Sequence, residues 1–278
     1  MIDRPDDNLI PTPTPMAPAA FQGPIVKIQR AAKHINECNE MTKAWSPTGF
    51  GLELIGESQD GERWVYRTFV ENAPTLEYAA ALGDAIHNLR SALDILICDI
   101  ARLRGKAASE VKFPFAANKA ALDDILAKPQ FKRIGVDVTA AISAEKPYKT
   151  DGNLLLRGLH DLDVADKHRL LLVAQTGILV EWTPTARTEA DRLTHRKFYK
   201  PSFDGDVWGA VKEMELGVHF QPSAKEITPV FGPDLPFAGK PVIPTLHALG
   251  RLVEEIVERF RAKFGKWDGD AGPASTSR

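Results

Sequence analysis

Residues 81–105, ALGDAIHNLRSALDILICDIARLRG, form the segment that most constrains the fold. Their apolar side chains recur at alternating intervals of four and three residues, which places them on one face of an α-helix. This apolar seam comprises Leu82, Ile86, Leu89, Leu93, Leu96, Ile100 and Leu103. Because Pro74 can occupy the first turn and Gly105 can cap the end, we predict a helix over about residues 74–104 whose seam is buried.

The segments on both sides of this helix have different hydrophobic patterns. Residues 25–44 have a helical apolar face. Residues 49–72 alternate about an Asp60-Gly61 turn, which is a strong signal for a β-hairpin. Two short helices, each stopped by a proline, are predicted within residues 106–150.

The C-terminal half begins with a helix that opens after residues 151–153 and ends at His168. From Arg169 onward the sequence is β-branched and apolar between turns, which predicts an antiparallel sheet. A closing helix is predicted over residues 244–264. Its apolar stripe comprises Leu246, Leu249, Val253, Ile256, Phe260 and Phe264.

Together these elements predict an α+β fold, in which a helical half with long antiparallel helices packs against a small antiparallel β-sheet. A single domain is expected over residues 25–267. Its parts are a mainly helical region with one β-hairpin over 25–168, an antiparallel sheet over 169–243 and the closing helix over 244–264. Residues 1–24, which are rich in proline, and residues 268–278 are predicted to be disordered tails.

The composition argues against several classes of protein. The 278-residue chain has a formal net charge of −2, so it lacks the basic surplus of proteins that bind nucleic acid through a broad positive surface. Its two cysteines are too few for a disulfide framework or a cysteine-based zinc site. The sequence has neither a secretory-signal pattern nor an apolar run of about 18 residues, so we expect a cytoplasmic protein with no membrane partner.

Three ionisable residues, His87, Arg90 and Asp94, lie beside the seam of the long helix. Their spacing stacks them along one line of the helix, within hydrogen-bonding reach of one another. Ser91 shares this arc and is four residues from His87. A helical serine lacks the strained turn and the oxyanion donors of a serine hydrolase, so we do not expect it to act as one.

A second polar group occurs in LHDLDVADKHRLL, residues 159–171, where a helix gives way to a strand. The apolar arc of this helix comprises Leu155, Leu159 and Leu162. Continuing that arc places Asp166, His168 and Arg169 beside the core. The same geometry turns a second set to the opposite side, namely His160, Asp163 and Lys167.

If the two helices pack together, the two polar groups can face each other and form one site. Imidazole, carboxylate and guanidinium groups suit general acid–base work on a phosphodiester. In this interpretation the catalytic residues are His87, Arg90, Asp94, Asp166 and His168. The anion-binding residues are Arg90, Lys167 and Arg169. The expected partner is RNA or a nucleotide, and neither a metal nor a cofactor is required.

Three other interpretations of the same residues remain open. They can form a buried polar network that fixes how the helices meet, because a charge near a core needs a partner. They can also line a pocket that binds a small anion or a nucleotide without chemistry. A helix-borne metal site would use His87, Asp94, Asp166 and His168, but the neighbouring arginine and lysine would repel a cation.

Four short motifs resemble those of a broad group of uncharacterised bacterial proteins. They are HNLRSALD at 87–94, FPF at 113–115, EKPY at 145–148 and DKHR at 166–169. In that group an HNLRxALD-like run on a long helix is followed by an FP-containing loop, a Pro-Tyr element and a DKHR run. The resemblance covers roughly residues 76–175.

The helical half is also similar to HEPN domains, helical bundles often found as ribonucleases in bacterial defence and toxin systems. This similarity implies a nucleic-acid-processing function and a homodimer, since such bundles tend to pair. Their catalytic signature is an arginine followed, after four to six residues, by a histidine. Counted from Arg90 those positions are Ile95, Leu96 and Ile97, so His87 or His168 would have to replace the missing histidine.

Overall fold

The structure is a computed structural model that describes residues 19–44, 50–61, 63–70, 74–108, 111–169, 174–185, 201–202, 207–211 and 219–265. Most of the two predicted tails, residues 1–18 and 268–278, therefore lies outside the described residues. Residues 19–24 belong to the folded part instead, because the first helix begins at Gln22 and the side chain of Phe21 is buried.

The described residues contain seven helices and six strands. The helices are α1 Gln22–Ala44, α2 Leu76–Leu103, α3 Lys119–Leu126, α4 Pro129–Ile134, α5 Val136–Ala144, α6 Leu154–Arg169 and α7 Val242–Phe264. The strands are β1 Phe50–Glu57, β2 Arg63–Val70, β3 Ala174–Thr185, β4 Pro201–Ser202, β5 Val207–Val211 and β6 His219–Phe231. The predicted α+β class is confirmed.

Helix α2 is the central element of the fold. Its first turn is capped by Thr75, whose hydroxyl oxygen accepts a hydrogen bond from the Tyr78 N–H. The chain leaves the helix through Gly105, whose φ of 64° is accessible to glycine at little cost. The predicted seam is confirmed, since every member from Leu82 to Ile100 is fully buried and Leu103 packs against the same core.

Three long helices surround α2. Its buried surface is therefore wider than the apolar seam alone. Helices α1, α6 and α7 all pack against it, and α7 also contacts α1 and α6. The predicted stripe of α7 is buried in this bundle, from Leu246 to Phe264. Burial of such a stripe is the main source of stability for an amphipathic helix in a small bundle.

The described strands form two antiparallel sheets of three strands each. The predicted hairpin is confirmed as β1 and β2, but β5 pairs with the free edge of β2. In the second sheet β3 lies between β4 and β6. The sequence predicted that all strands within 169–243 form a separate sheet, and this was wrong for β5. A two-stranded hairpin is only marginally stable by itself, and pairing with a third strand stabilises it.

Strand β1 contains a β-bulge. Its register against β2 shifts between Leu54 and Gly56, and Gly56 has a φ of 154°. Leu54 and Ile55 are both exposed at this point. The bulge therefore bends the outer strand of the first sheet at a glycine.

Between α2 and α6 there are three short helices where two were predicted. The prediction treated Pro129 as a stop signal, whereas the structure shows it at the start of α4. Proline suits the first position of a helix because that position needs no N–H donor. None of the seven helices in the described part of the chain combines the length and the apolarity needed to cross a bilayer.

Candidate functional site

The imidazole of His87 meets a carboxylate on α6, as the packing of the two helices was expected to allow. The carboxylate is that of Asp163, whose Oδ1 lies 2.9 Å from His87 Nδ1. Asp163 is only 4% exposed, whereas the His87 side chain is 48% exposed. A buried carboxylate thus holds one nitrogen of a half-exposed imidazole.

This contact corrects the predicted orientation of α6, which turned Asp163 away from α2. The buried residues of the helix include Leu156, Leu159, Leu162 and Asp163, while Leu155 is 37% exposed. The inward face therefore keeps Leu159 and Leu162 of the predicted arc and is turned by less than one residue, away from Leu155 and towards Leu156 and Asp163. A carboxylate on that face can be buried because His87 and Lys167 both bond to it.

Two further groups extend the pair into a chain of four residues. Lys167 Nζ lies 2.5 Å from Asp163 Oδ2, one helical turn away on α6. Ser91 Oγ lies 3.3 Å from His87 Nε2, one turn away on α2. We call Ser91, His87, Asp163 and Lys167 the α2–α6 relay.

The order of donors in the α2–α6 relay follows from the charges. The ionised carboxylate of Asp163 only accepts hydrogen bonds, so a neutral His87 carries its proton on Nδ1. Nε2 is then an acceptor, and the Ser91 hydroxyl can donate to it. This is the arrangement in which an imidazole can take a proton from a hydroxyl and return it.

Arg90 and Asp94 lie on the same helix but perform a different task. Arg90 Nη1 bonds to Asp94 Oδ1 at 2.6 Å, and Nη2 donates to the Phe113 carbonyl oxygen at 3.1 Å. Asp94 Oδ1 also accepts the Phe113 N–H at 2.9 Å. Both side chains therefore clamp the FPF loop onto α2, and Arg90 is only 7% exposed.

The FPF loop in turn contacts α6 through an aromatic stack. The ring of Phe115 lies parallel to that of His160, with the ring centroids 4.4 Å apart. The Arg90 guanidinium lies 4.6 Å from the centroid of the same Phe115 ring. Burial, with smaller contributions from the positive charges of Arg90 and Arg157, lowers the pKa of His160 to about 4.

The remaining predicted residues of α6 lie near the α2–α6 relay or outside the described side chains. Asp166 packs against α2 at Gly83, where a Cβ atom would lie only 2.6 Å from Asp166 Oδ1. The side chains of His168 and Arg169 are outside the described residues. Among the described side chains there is no group of three histidine, cysteine or acidic residues that could hold a metal ion.

Sequence reasoning missed Asp163 as the partner of His87. The available signal was the four-residue spacing of Asp163 and Lys167, which predicts an ion pair on one helical face. From the sequence alone, this pair cannot be distinguished from an ion pair on the protein surface, because the orientation of α6 about its axis is not known. The pairing of His87 with Asp163 spans 76 residues, and no local pattern encodes such a contact.

Three of the four motifs quoted from the sequence, HNLRSALD, FPF and EKPY, meet in one region of the structure. HNLRSALD holds the FPF loop through Arg90 and Asp94. The residue after FPF, Ala116, forms an isolated β-bridge with Tyr148 of EKPY, and its carbonyl oxygen accepts from Arg157 of α6 at 2.8 Å. Compared with models of protein families, with curated proteins and with solved structures, the chain matches none of them.

Proposed function

We propose that the chain binds and processes a phosphate-bearing substrate, either RNA or a nucleotide, with His87 as its general acid–base. One observation carries this proposal, the half-exposed imidazole of His87 held at 2.9 Å by the buried carboxylate of Asp163. A carboxylate in this position orients the ring and stabilises the imidazolium that forms when the ring accepts a proton.

The surroundings of His87 supply the charge that a phosphate needs. Lys167 is half exposed and lies on the second oxygen of Asp163, so its ammonium group is at the same site. In the proposed function Lys167 is the first contact of the anion, and Asp163 is a positioning residue for His87. Arg90 acts indirectly, because its terminal nitrogens already bond to Asp94 and to the carbonyl oxygen of Phe113. It therefore supports the site by fixing the FPF loop.

A second candidate is a non-catalytic interaction module, which the contacts of Arg90 and Asp94 favour. These residues make the buried network that fixes a loop to a helix, as a purely structural site would. In this alternative the α2–α6 relay only locks α2 to α6. We place either function in the cytoplasm, and the HEPN-like relationship and the homodimer that it implies belong to the same proposal.

The decisive experiment compares His87→Ala with His34→Ala in the purified full-length chain. His34 is a matched control because it also bonds through Nδ1 to a carboxylate, that of Glu37, but lies on α1. Mixed-sequence single-stranded RNA and a panel of nucleoside triphosphates are incubated with each protein, and the products are separated by ion-exchange chromatography. We expect His87→Ala to lower the rate about 100-fold or more, and His34→Ala to leave it unchanged.

Thermal unfolding of the same variants separates the two candidates. The proposed function predicts nearly equal melting temperatures for the wild type and His87→Ala, because the imidazole is half exposed and Lys167 still bonds to the buried carboxylate of Asp163. If no product forms with any substrate and His87→Ala loses about 2 kcal/mol of stability, the interaction module is the better account.

A further inference from the structure

We infer that Ser91 is a nucleophile of this site, and that the phosphoryl group of the substrate is transferred to Ser91 Oγ before water releases it. The inference rests on the proposed function and adds a covalent step to it. Ser91, His87 and Asp163 are joined in a hydroxyl–imidazole–carboxylate chain by contacts of 3.3 and 2.9 Å. In this order of groups the imidazole can accept the hydroxyl proton while the carboxylate orients the ring, which is the arrangement that activates a hydroxyl on several unrelated folds.

The partner of the Ser91 hydroxyl distinguishes it from other hydroxyls on the helices. Thr42, Thr139 and Thr245 donate to backbone carbonyl oxygens three or four residues earlier, at 2.8, 2.9 and 2.7 Å. This is the ordinary behaviour of a helical serine or threonine. Ser91 instead contacts an imidazole nitrogen, and the opposite nitrogen of that ring is held by a buried carboxylate.

The transfer is balanced without a further reactant. Ser91 Oγ forms a bond to phosphorus and its proton passes to His87 Nε2. The bond from phosphorus to the leaving oxygen breaks, and that oxygen takes the proton from the imidazolium. His87 then deprotonates a water molecule that attacks phosphorus, the bond from phosphorus to Ser91 Oγ breaks, and Oγ takes the proton back from the imidazolium.

The charges of the site favour a phosphorus electrophile over a carboxylic ester. The ammonium group of Lys167 bonds to Asp163 at the end of the α2–α6 relay away from Ser91, and the side chain is half exposed, so it reaches a phosphoryl group at Ser91 by turning away from Asp163. A phosphoryl group carries negative charge in both the ground state and the transition state, and a positive side chain stabilises it. An acyl substrate would need pre-aligned backbone donors for its oxyanion, whereas the interior backbone N–H groups of a helix bond to carbonyl oxygens of the preceding turn.

The test uses an alkyl fluorophosphonate as the probe, because it transfers a phosphorus group to activated hydroxyls with loss of fluoride. The full-length protein is incubated with the probe, digested, and sequenced by tandem mass spectrometry. We expect the adduct on Ser91 to form about 100-fold faster than on Ser58, whose hydroxyl contacts the carboxylate of Asp60. His87→Ala should remove the preference for Ser91, and Ser143→Ala should not affect it.

The variant Ser91→Ala distinguishes failure of this inference from failure of the proposed function. Alanine is the best helix former, so the variant is expected to fold. If Ser91 takes no label and Ser91→Ala retains His87-dependent hydrolysis, the serine step is wrong and the proposed function stands. If Ser91 is labelled selectively but no phosphate-bearing substrate is processed, the nucleophile is supported and the proposed substrate class is wrong. If neither label nor hydrolysis is observed, both are overturned.

Discussion

Two histidines near the site, His87 on α2 and His160 on α6, have opposite surroundings. His87 is half exposed and has a hydrogen-bonding partner on each nitrogen. His160 is stacked on Phe115, and its Nδ1 is buried without a hydrogen bond. The environment of His160 favours the neutral ring.

This difference predicts a pH-dependent contribution of His160 to stability. In the unfolded chain the ring takes up a proton near pH 6.5, but in the folded protein its pKa of about 4 keeps it neutral. The unfolded state therefore binds more protons between these values, and stability is complete above pH 6.5 and falls as the pH drops towards 4. His160→Phe keeps an aromatic ring against Phe115 and should flatten this dependence by about 1 kcal/mol per pH unit.

Urea denaturation at several values of pH between 4 and 7.5 checks the prediction. His34→Ala is the control for the loss of an imidazole that is not stacked on Phe115. Parallel stability curves for the wild type and His160→Phe would show that burial of this ring does not control acid stability.

Among the elements, the approach of α6 to α2 is set by Gly83. A methyl group there would meet the Asp166 carboxylate, with a Cβ-to-Oδ1 distance of 2.6 Å. Gly250, on α7, has no atom within 4 Å of the position where its Cβ would lie. Gly83 and Gly250 thus differ in the space around the position of a Cβ atom.

We expect opposite effects from the same substitution at these two glycines. Gly250→Ala should stabilise the protein by about 0.5–1 kcal/mol, because alanine favours the helix more than glycine does. Gly83→Ala gains the same propensity but forces Asp166 aside, and should destabilise by about 1–3 kcal/mol. Chemical denaturation of both variants measures the difference. Gly83→Ala combined with Asp166→Ala should recover most of the loss, and failure to do so would place the clash elsewhere.

At the scale of the whole molecule, the central bundle encloses the thiol of Cys38. Burial, with a smaller effect from the charge of Glu37, raises the pKa of Cys38 to about 12. Cys98 is only partly buried, and its thiol contacts the carbonyl oxygens of Ala108 and Val111. Cys38 is therefore more deeply buried than Cys98.

Alkylation with iodoacetamide at pH 8 should modify Cys98 well before Cys38, since only an accessible thiolate reacts. Loss of Cys38 protection should coincide with loss of the helical circular dichroism signal during a urea titration, because the thiol lies between packed helices. Peptide mass spectrometry of quenched samples gives both rates. Modification of Cys38 at urea concentrations that leave the helical signal intact would mean that α1 detaches from the bundle first.

The helices were predictable from the sequence, while the partners across space were not. The seam of α2 and the stripe of α7 repeat at helical spacing, and each is long enough to define a buried face. The pairing of β5 with β2 and of Asp163 with His87 depends on how preformed elements meet. A rotation of α6 by less than one residue decides whether Asp163 faces His87 or solvent, and short apolar arcs do not define a rotation that closely.

The bulge at Gly56 has a consequence for the behaviour of the protein at high concentration. Strand β1 ends its sheet, and it presents Leu54 and Ile55 to solvent. A straight outer strand with such side chains is a template on which a neighbouring molecule can add its own strand. The register shift between Leu54 and Gly56 breaks the regular row of donors and acceptors that such growth requires. An irregularity of one residue thus protects an apolar edge against aggregation.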